Sequence, residues 1–153
     1  MVLKSLQFVA VAAAGTAFGL TLAHVLERPG KTQLSGAGWL QLQHTFYGGF
    51  AIVGGAAEVG GLLAALGILV VVRRRPVAAG LALLGVVGFA GMLGSYALGN
   101  RPLNAEIAGW TAATLPADWT SVRDAWDTAH AISAGFGALA LASLLAGTLR
   151  EAR

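Results

Sequence analysis

The chain contains no cysteine among its 153 residues. Disulfides, thiolate nucleophiles, iron–sulfur clusters and cysteine-based zinc sites are therefore excluded, and any metal has to be held by histidine, carboxylate or amide groups, or within a haem. Charge is nearly as scarce. Only 11% of the residues are charged and 56% are hydrophobic, with a mean hydropathy of +0.71. A soluble domain carries roughly 25% charged residues to cover its surface, so most of this surface must face lipid. The net charge is +3, but no basic stripe with interleaved aromatics accompanies it, which argues against nucleic acid as a partner. The strict alternation of an outer-membrane strand is missing, and so is the internal repeat of an inverted-repeat transporter. What remains is a small all-α, polytopic membrane protein.

A bilayer core of about 30 Å takes about 20 helical residues. Four apolar runs are long enough, at about 5–26, 45–72, 77–98 and 127–149. They predict a single domain over 1–153, an up-down-up-down four-helix transmembrane bundle, with the second span tilted or projecting beyond the lipid. The first span begins with Lys4 and ends in a Thr-Leu-Ala-His stretch that resembles a signal-peptide cleavage site; the expectation is a helix that stays uncleaved. Arg73, Arg74 and Arg75 crowd the turn before Pro76. By the positive-inside rule that turn is cytoplasmic, as are Lys4, Arg150 and Arg153, which places both termini in the cytoplasm and the protein in the cell membrane. Two longer connections, 27–44 and 99–126, then lie outside. Trp39, Trp110, Trp119 and Trp126 fall in or beside them, as in an aromatic belt. Gly85, Gly88, Gly91 and Gly94 recur at every third residue, and Gly54, Gly55, Gly60 and Gly61 flank Glu58. Such spacing lets helices approach closely within one bundle, or in a homo-oligomer or larger membrane complex.

The inner charges serve as depth rulers, because a helix rises 1.5 Å per residue. Lys4 to His24 and Arg150 to His130 are each twenty residues, about 30 Å, so both histidines should reach one level at the outer edge of the hydrocarbon. Glu27 sits one turn above His24, and Arg123, Asp127 and His130 form one stripe of the last helix. Glu58 falls roughly 8 Å below the histidine level, and His44 comes out about 43 Å from the inner charges, above the membrane. A polar outer pocket is thus expected. Plainer roles exist for each residue: hydrated interfacial histidines, Glu27 paired with Arg28 or Lys31, and an i,i+4 ion pair between Arg123 and Asp127. Glu58 is hardest to explain so, since a carboxylate within hydrocarbon costs several kcal/mol unless neutral or paired. Asn100 ends the third span, and Pro102 should prevent simple continuation of that helix. Asn104 is then expected to turn back toward the helix ends, or to cap a short helix from about Ala105.

The stretches AHVLERPGK and WLQLQHTFYGGF, and then GNRPLNAEIAGW and DWTSVRDAWDTAH, resemble the anthrone-oxygenase-like family of small four-helix membrane proteins. The resemblance covers most of the chain. It singles out His24, Glu27, Pro29, Gly30, Lys31, Gln43 and Tyr47, and in the second half Asn100, Pro102, Leu103, Asn104, Trp119, Arg123, Trp126 and His130. An arginine that the family often carries shortly after the last tryptophan is replaced here by Ser133 or its neighbours, so substrate identity does not transfer. The resemblance implies an oxidoreductase or oxygenase acting on a lipophilic aromatic or quinone-like molecule that enters from the bilayer. In that reading His24 or His130 is the base and Glu58 a further catalytic group. Arg123 and Asn104 steady an oxyanion, and Glu27, Tyr47, Asn100 and Trp126 join them in holding substrate. The cofactor is open: none, haem, or a transition metal held by His24, His130, Glu27 and Glu58. The alternatives are a haem- or metal-binding membrane protein, or a non-catalytic accessory subunit.

Overall fold

The computed structural model describes residues 1–151; Arg153, counted above with the inner charges, lies outside the described residues. The chain is all-α, with no strand among the described residues. In order it forms α1 (Val2–Lys31), α2 (Gly36–Phe46), α3 (Gly48–Val72), α4 (Pro76–Ser95), a π-helical turn (Tyr96–Asn100), α5 (Arg101–Ala108) and α6 (Trp119–Glu151). Four helical stretches are long and apolar enough to cross a membrane: Val2–Lys31, Gly48–Val72, Pro76–Ala108 and Trp119–Glu151. That is the pattern of a multi-pass membrane protein. Large side chains such as Phe8, Ile52, Leu63 and Leu83 point outward, where lipid rather than water would suit them.

Each long helix touches two others, α1 with α3, α3 with α4, α4 with α6 and α6 with α1, so the four close into a ring. The core is built largely of small residues, Ala10, Ala14, Ala17, Ala65 and Ala140, around Phe89 and Met92. Leu6 lies against Gly67 and Leu20 against Gly54, so residue numbers fall along α3 as they rise along α1. The closest approach is between α4 and α6. A Cβ on Gly88 would lie 2.7 Å from Ala140 Cβ and 2.8 Å from both the Ala140 nitrogen and the Phe136 carbonyl oxygen. Gly85 faces Leu144, Gly91 faces the Phe136 ring, and Gly61 on α3 receives the Phe89 ring. Most of the three-residue glycine row thus packs within the bundle; Gly94, its last member, faces open space.

Helical structure extends further than the expected spans. α1 continues past 26 through Pro29 in its last turn, at the cost of the one i→i−4 bond that a backbone N–H there would make; the Pro29 carbonyl, left without a helix partner at that end, accepts from the Thr32 hydroxyl at 2.9 Å. The expected second span from 45 is instead interrupted at Tyr47. Before that break α2, capped by the Ser35 hydroxyl (3.2 Å from the Gly38 N–H), buries Trp39 and Leu40 against Ile107, Trp110 and Trp126. Helix also continues through the third span, and Pro102 does not end it. The π-helical turn shifts the hydrogen-bond register just ahead of the proline, which then occupies the first turn of α5, where no donor is needed. Asn104 accordingly caps nothing, and α6 begins at Trp119 rather than 127.

If the contact of α4 with α6 is set by backbone proximity, Gly88→Ala should destabilise the bundle by about 2 kcal/mol, although alanine is the better helix former. Gly80→Ala, facing open space, should be neutral or stabilising by up to ~1 kcal/mol. Unfolding titrations in detergent check this; a Gly88→Ala protein as stable as the parent contradicts it.

Candidate functional site

The register of α1 on α6 is fixed below the site. Gly137 packs on Phe18, where an added Cβ would lie 3.1 Å from the Phe18 backbone. From that contact His24 is six residues along α1 and His130 seven residues back along α6, about 9 and 10.5 Å. The two imidazoles therefore meet, with centroids 4.3 Å apart and ring planes at 64°. Trp126 packs against both, tilted by 41° at 3.9 Å from His130 and edge-on at 4.9 Å from His24, and Tyr47 (4.6 Å) and Phe50 (5.1 Å) also contact His24.

Beside this cluster a cavity of about 540 Å³ runs between the helices. Leu20, Phe50, Ala51, Leu93 and Ile107 give it apolar walls, and Gly54 and Gly55 leave its waist open. Of the residues expected at a site, His24, His130, Glu58, Tyr47, Asn104 and Trp126 all line it. Asn100 stands behind His130, its buried amide 2.6 Å from His130 Nδ1 and donating to the Trp126 carbonyl at 3.1 Å. His130 Nδ1 is also 3.0 Å from that carbonyl. This nitrogen is held by the protein, which leaves Nε2 for the cavity. Asn104 accepts from Trp126 Nε1 at 2.7 Å, and so fixes the indole that packs against the histidines.

A charged group roofs the aromatic cluster. Lys31 is only 2% exposed, and its ammonium lies 3.0 Å from Glu27 and 3.4 Å from His24 Nδ1, over the faces of Tyr47 and Trp126 at 4.8 Å each. Burial of this cation is tolerable because an anion, an imidazole and two ring faces surround it. Glu27 also accepts from the Tyr47 hydroxyl at 2.8 Å. Burial, and then that bond to Glu27, push the Tyr47 phenol above its ordinary pKa, so Tyr47 acts as a neutral donor. Glu27 thus holds the edge of the site without lining it.

Arg123 departs from its expected place. It turns to Asp124, with Nε and Nη2 each 3.0 Å from the same oxygen, and covers Trp119 at 5.2 Å, outside the cavity. Asp127 does not pair with it either. Its carboxylate is buried, approaches Arg28 at 4.0 Å, and has no hydrogen-bond partner for either oxygen among the described residues. His44, expected above the membrane, lines the cavity with Nε2 3.2 Å from the Ile107 carbonyl. Gln43 beside it presents a buried amide nitrogen with no partner among the described residues. The chain breaks at Tyr47, and the separate helix α2 brings Gln43 and His44 to the cavity, which a ruler treating residues 44–73 as one straight helix does not foresee.

The donor set does not suit a haem or metal centre. Two imidazoles on opposite faces of one haem iron, with bonds of about 2 Å, hold their nitrogens about 4 Å apart and their centroids farther. Here the centroids themselves are 4.3 Å apart. No three His or carboxylate groups converge as a metal site among the described residues.

No family model matches the chain, and no curated protein or solved structure is significantly similar to it.

The buried position of Lys31 gives an asymmetric expectation. Glu27→Ala, which removes its anion and the Tyr47 acceptor, should cost about 3 kcal/mol. Lys31→Met, which leaves a half-exposed Glu27 free to hydrate, should cost about 1 kcal/mol. Equal losses in a detergent unfolding titration, or a larger loss for Lys31→Met, would contradict the surroundings assigned to this lysine.

Proposed function

We propose that the protein crosses the cell membrane four times, up-down-up-down with both termini cytoplasmic, and binds a lipophilic aromatic or quinone-like molecule in its interhelical cavity. On that molecule it acts as an anthrone-oxygenase-like oxidoreductase. The observation that carries the reading is the meeting of His24 and His130, from different helices, at the wall of a largely apolar cavity.

The chemistry suits such a wall. A methylene held between two aromatic rings is a weak carbon acid, and a neutral imidazole beside it is a base of matched strength. One histidine accepts the proton, and the adjacent ring and the Trp126 face confine it. The resulting carbanion is delocalised into the ring ketone as an enolate oxygen. Gln43 and Asn104 carry amide groups at the cavity, and donate to that oxygen, Asn104 in the role first expected of it and Gln43 in place of Arg123. Dioxygen then takes up the carbanion's electrons. The adduct, protonated to a hydroperoxide, loses water and leaves a carbonyl, so that one CH₂ and one O₂ become one C=O and one H₂O. No oxidant besides dioxygen enters this balance.

Oxygen uptake by the detergent-solubilised protein with an anthrone-type carbon acid tests the reading. Replacing both His24 and His130 by Ala should lower turnover at least about 100-fold. Unchanged turnover in the double variant removes the proposal.

A further inference from the structure

The proposed histidine chemistry makes no use of Glu58, first grouped with the catalytic residues, and its place in the cavity suits another task. It lies on α3 eight residues beyond Phe50, about 12 Å along the axis, and Phe50 is in contact with His24. Glu58 is only 8% exposed, lines the cavity, and has neither a cation nor a hydrogen-bond donor against its carboxyl among the described residues. Thr21, the cavity-lining hydroxyl of α1, is already committed to the Ala17 and Phe18 carbonyls at 3.1 Å each. Between the two levels α3 presents glycines. A Cβ on Gly55 would meet nothing within 4 Å, and one on Gly54 would meet only Leu20 at 3.7 Å. The space is therefore a slot, with two imidazoles at one end and a lone carboxyl two helical turns away at the other.

We infer that Glu58 anchors the far end of an elongated, flat ligand through a hydroxyl group on that ligand. A carboxyl group within hydrocarbon costs several kcal/mol unless a partner satisfies it, and the described residues supply none. A hydroxyl donates to an ionised carboxylate, and both donates to and accepts from a neutral carboxyl, without bringing further charge into the bilayer. A rigid fused-ring molecule about 10–12 Å long reaches from Glu58 past Gly54 and Gly55 to the histidines, matching the two-turn separation. Glu58 is then a positioning residue: it selects hydroxylated aromatics and sets which ring carbon faces His24 and His130. The inference rests on the proposed aromatic substrate, but it concerns binding and does not depend on oxygen chemistry.

The test is binding of a hydroxyanthraquinone and of unsubstituted anthraquinone to the full-length protein in detergent, followed by quenching of tryptophan fluorescence. The hydroxylated compound should bind about tenfold more tightly, the preference expected when a ligand satisfies a buried polar group. Glu58→Gln should keep the preference, since its amide still pairs with a hydroxyl. Glu58→Leu, which suits a membrane helix and should fold, should abolish the preference while still binding the parent ring system. Gly55→Leu, placed where the protein leaves room, should weaken both ligands. Equal affinity for the two compounds, a preference that survives Glu58→Leu, or no saturable binding of either overturns the inference. A Glu58-dependent preference without oxygen uptake would sink the catalytic reading and leave this one; uptake without a preference would do the reverse.

Discussion

The contact of Gly137 with Phe18 sets the geometry of the site. α6 carries small residues on two sides, and each brings it close to a neighbour: Ala140 fits Gly88 of α4, and Gly137 admits the backbone of α1. Helices are stiff and rise uniformly, so a register fixed at one contact is carried to the next turns. Six and seven residues on, it delivers His24 and His130 to one point. A slip of one residue between α1 and α6 would turn one imidazole away by about 100°. The chemistry at one end of the bundle thus depends on the absence of a side chain in its middle.

The polar residues are sorted by the same constraint. Within hydrocarbon the chain carries little that needs water: Thr21 and Ser143 return their hydroxyls to helix carbonyls. Nearer the histidines several polar side chains hold one another, although Gln43 and Asp127 have no such partner among the described residues. Asn100 holds His130, Asn104 holds Trp126, Glu27 holds Tyr47 and Lys31, and Lys31 lies over the rings beneath. Pieces from α1, α5, α6 and the break at Tyr47 are linked in this way, and they fix the ring faces against which a ligand would lie. Glu58 stands outside that web, which is why a ligand is the natural source of its partner.

Much of this was legible from the chain. Depth along a helix depends only on residue count, so the matched level of His24 and His130 followed from their distances to Lys4 and Arg150. The chemistry of Glu58 marked it without any fold. Rotation about the helix axis was not legible, because helices apolar on every side carry no stripe to show which face turns inward. Arg123 illustrates the cost: it shares a stripe with His130 in the sequence, yet a neighbouring acid, Asp124, draws it away from the cavity. His44 was not expected at the cavity for another reason. Nothing as strong as a proline marks the break at Tyr47; it follows from α2 burying Trp39 and Leu40 against α5 and Trp126, a tertiary effect that no local pattern displays. Pro102 did give a local signal, but the π-helical turn before it absorbed the expected stop.

The central claim is that His24 and His130 meet across α1 and α6 at the cavity wall, and the absence of cysteine makes it directly measurable. In a His24→Cys/His130→Cys variant the only two thiols are those introduced. A short bifunctional thiol reagent should join them within one chain, read as a single cross-link by mass on the intact protein. Two separate adducts on unlinked thiols would place the residues apart and contradict the account.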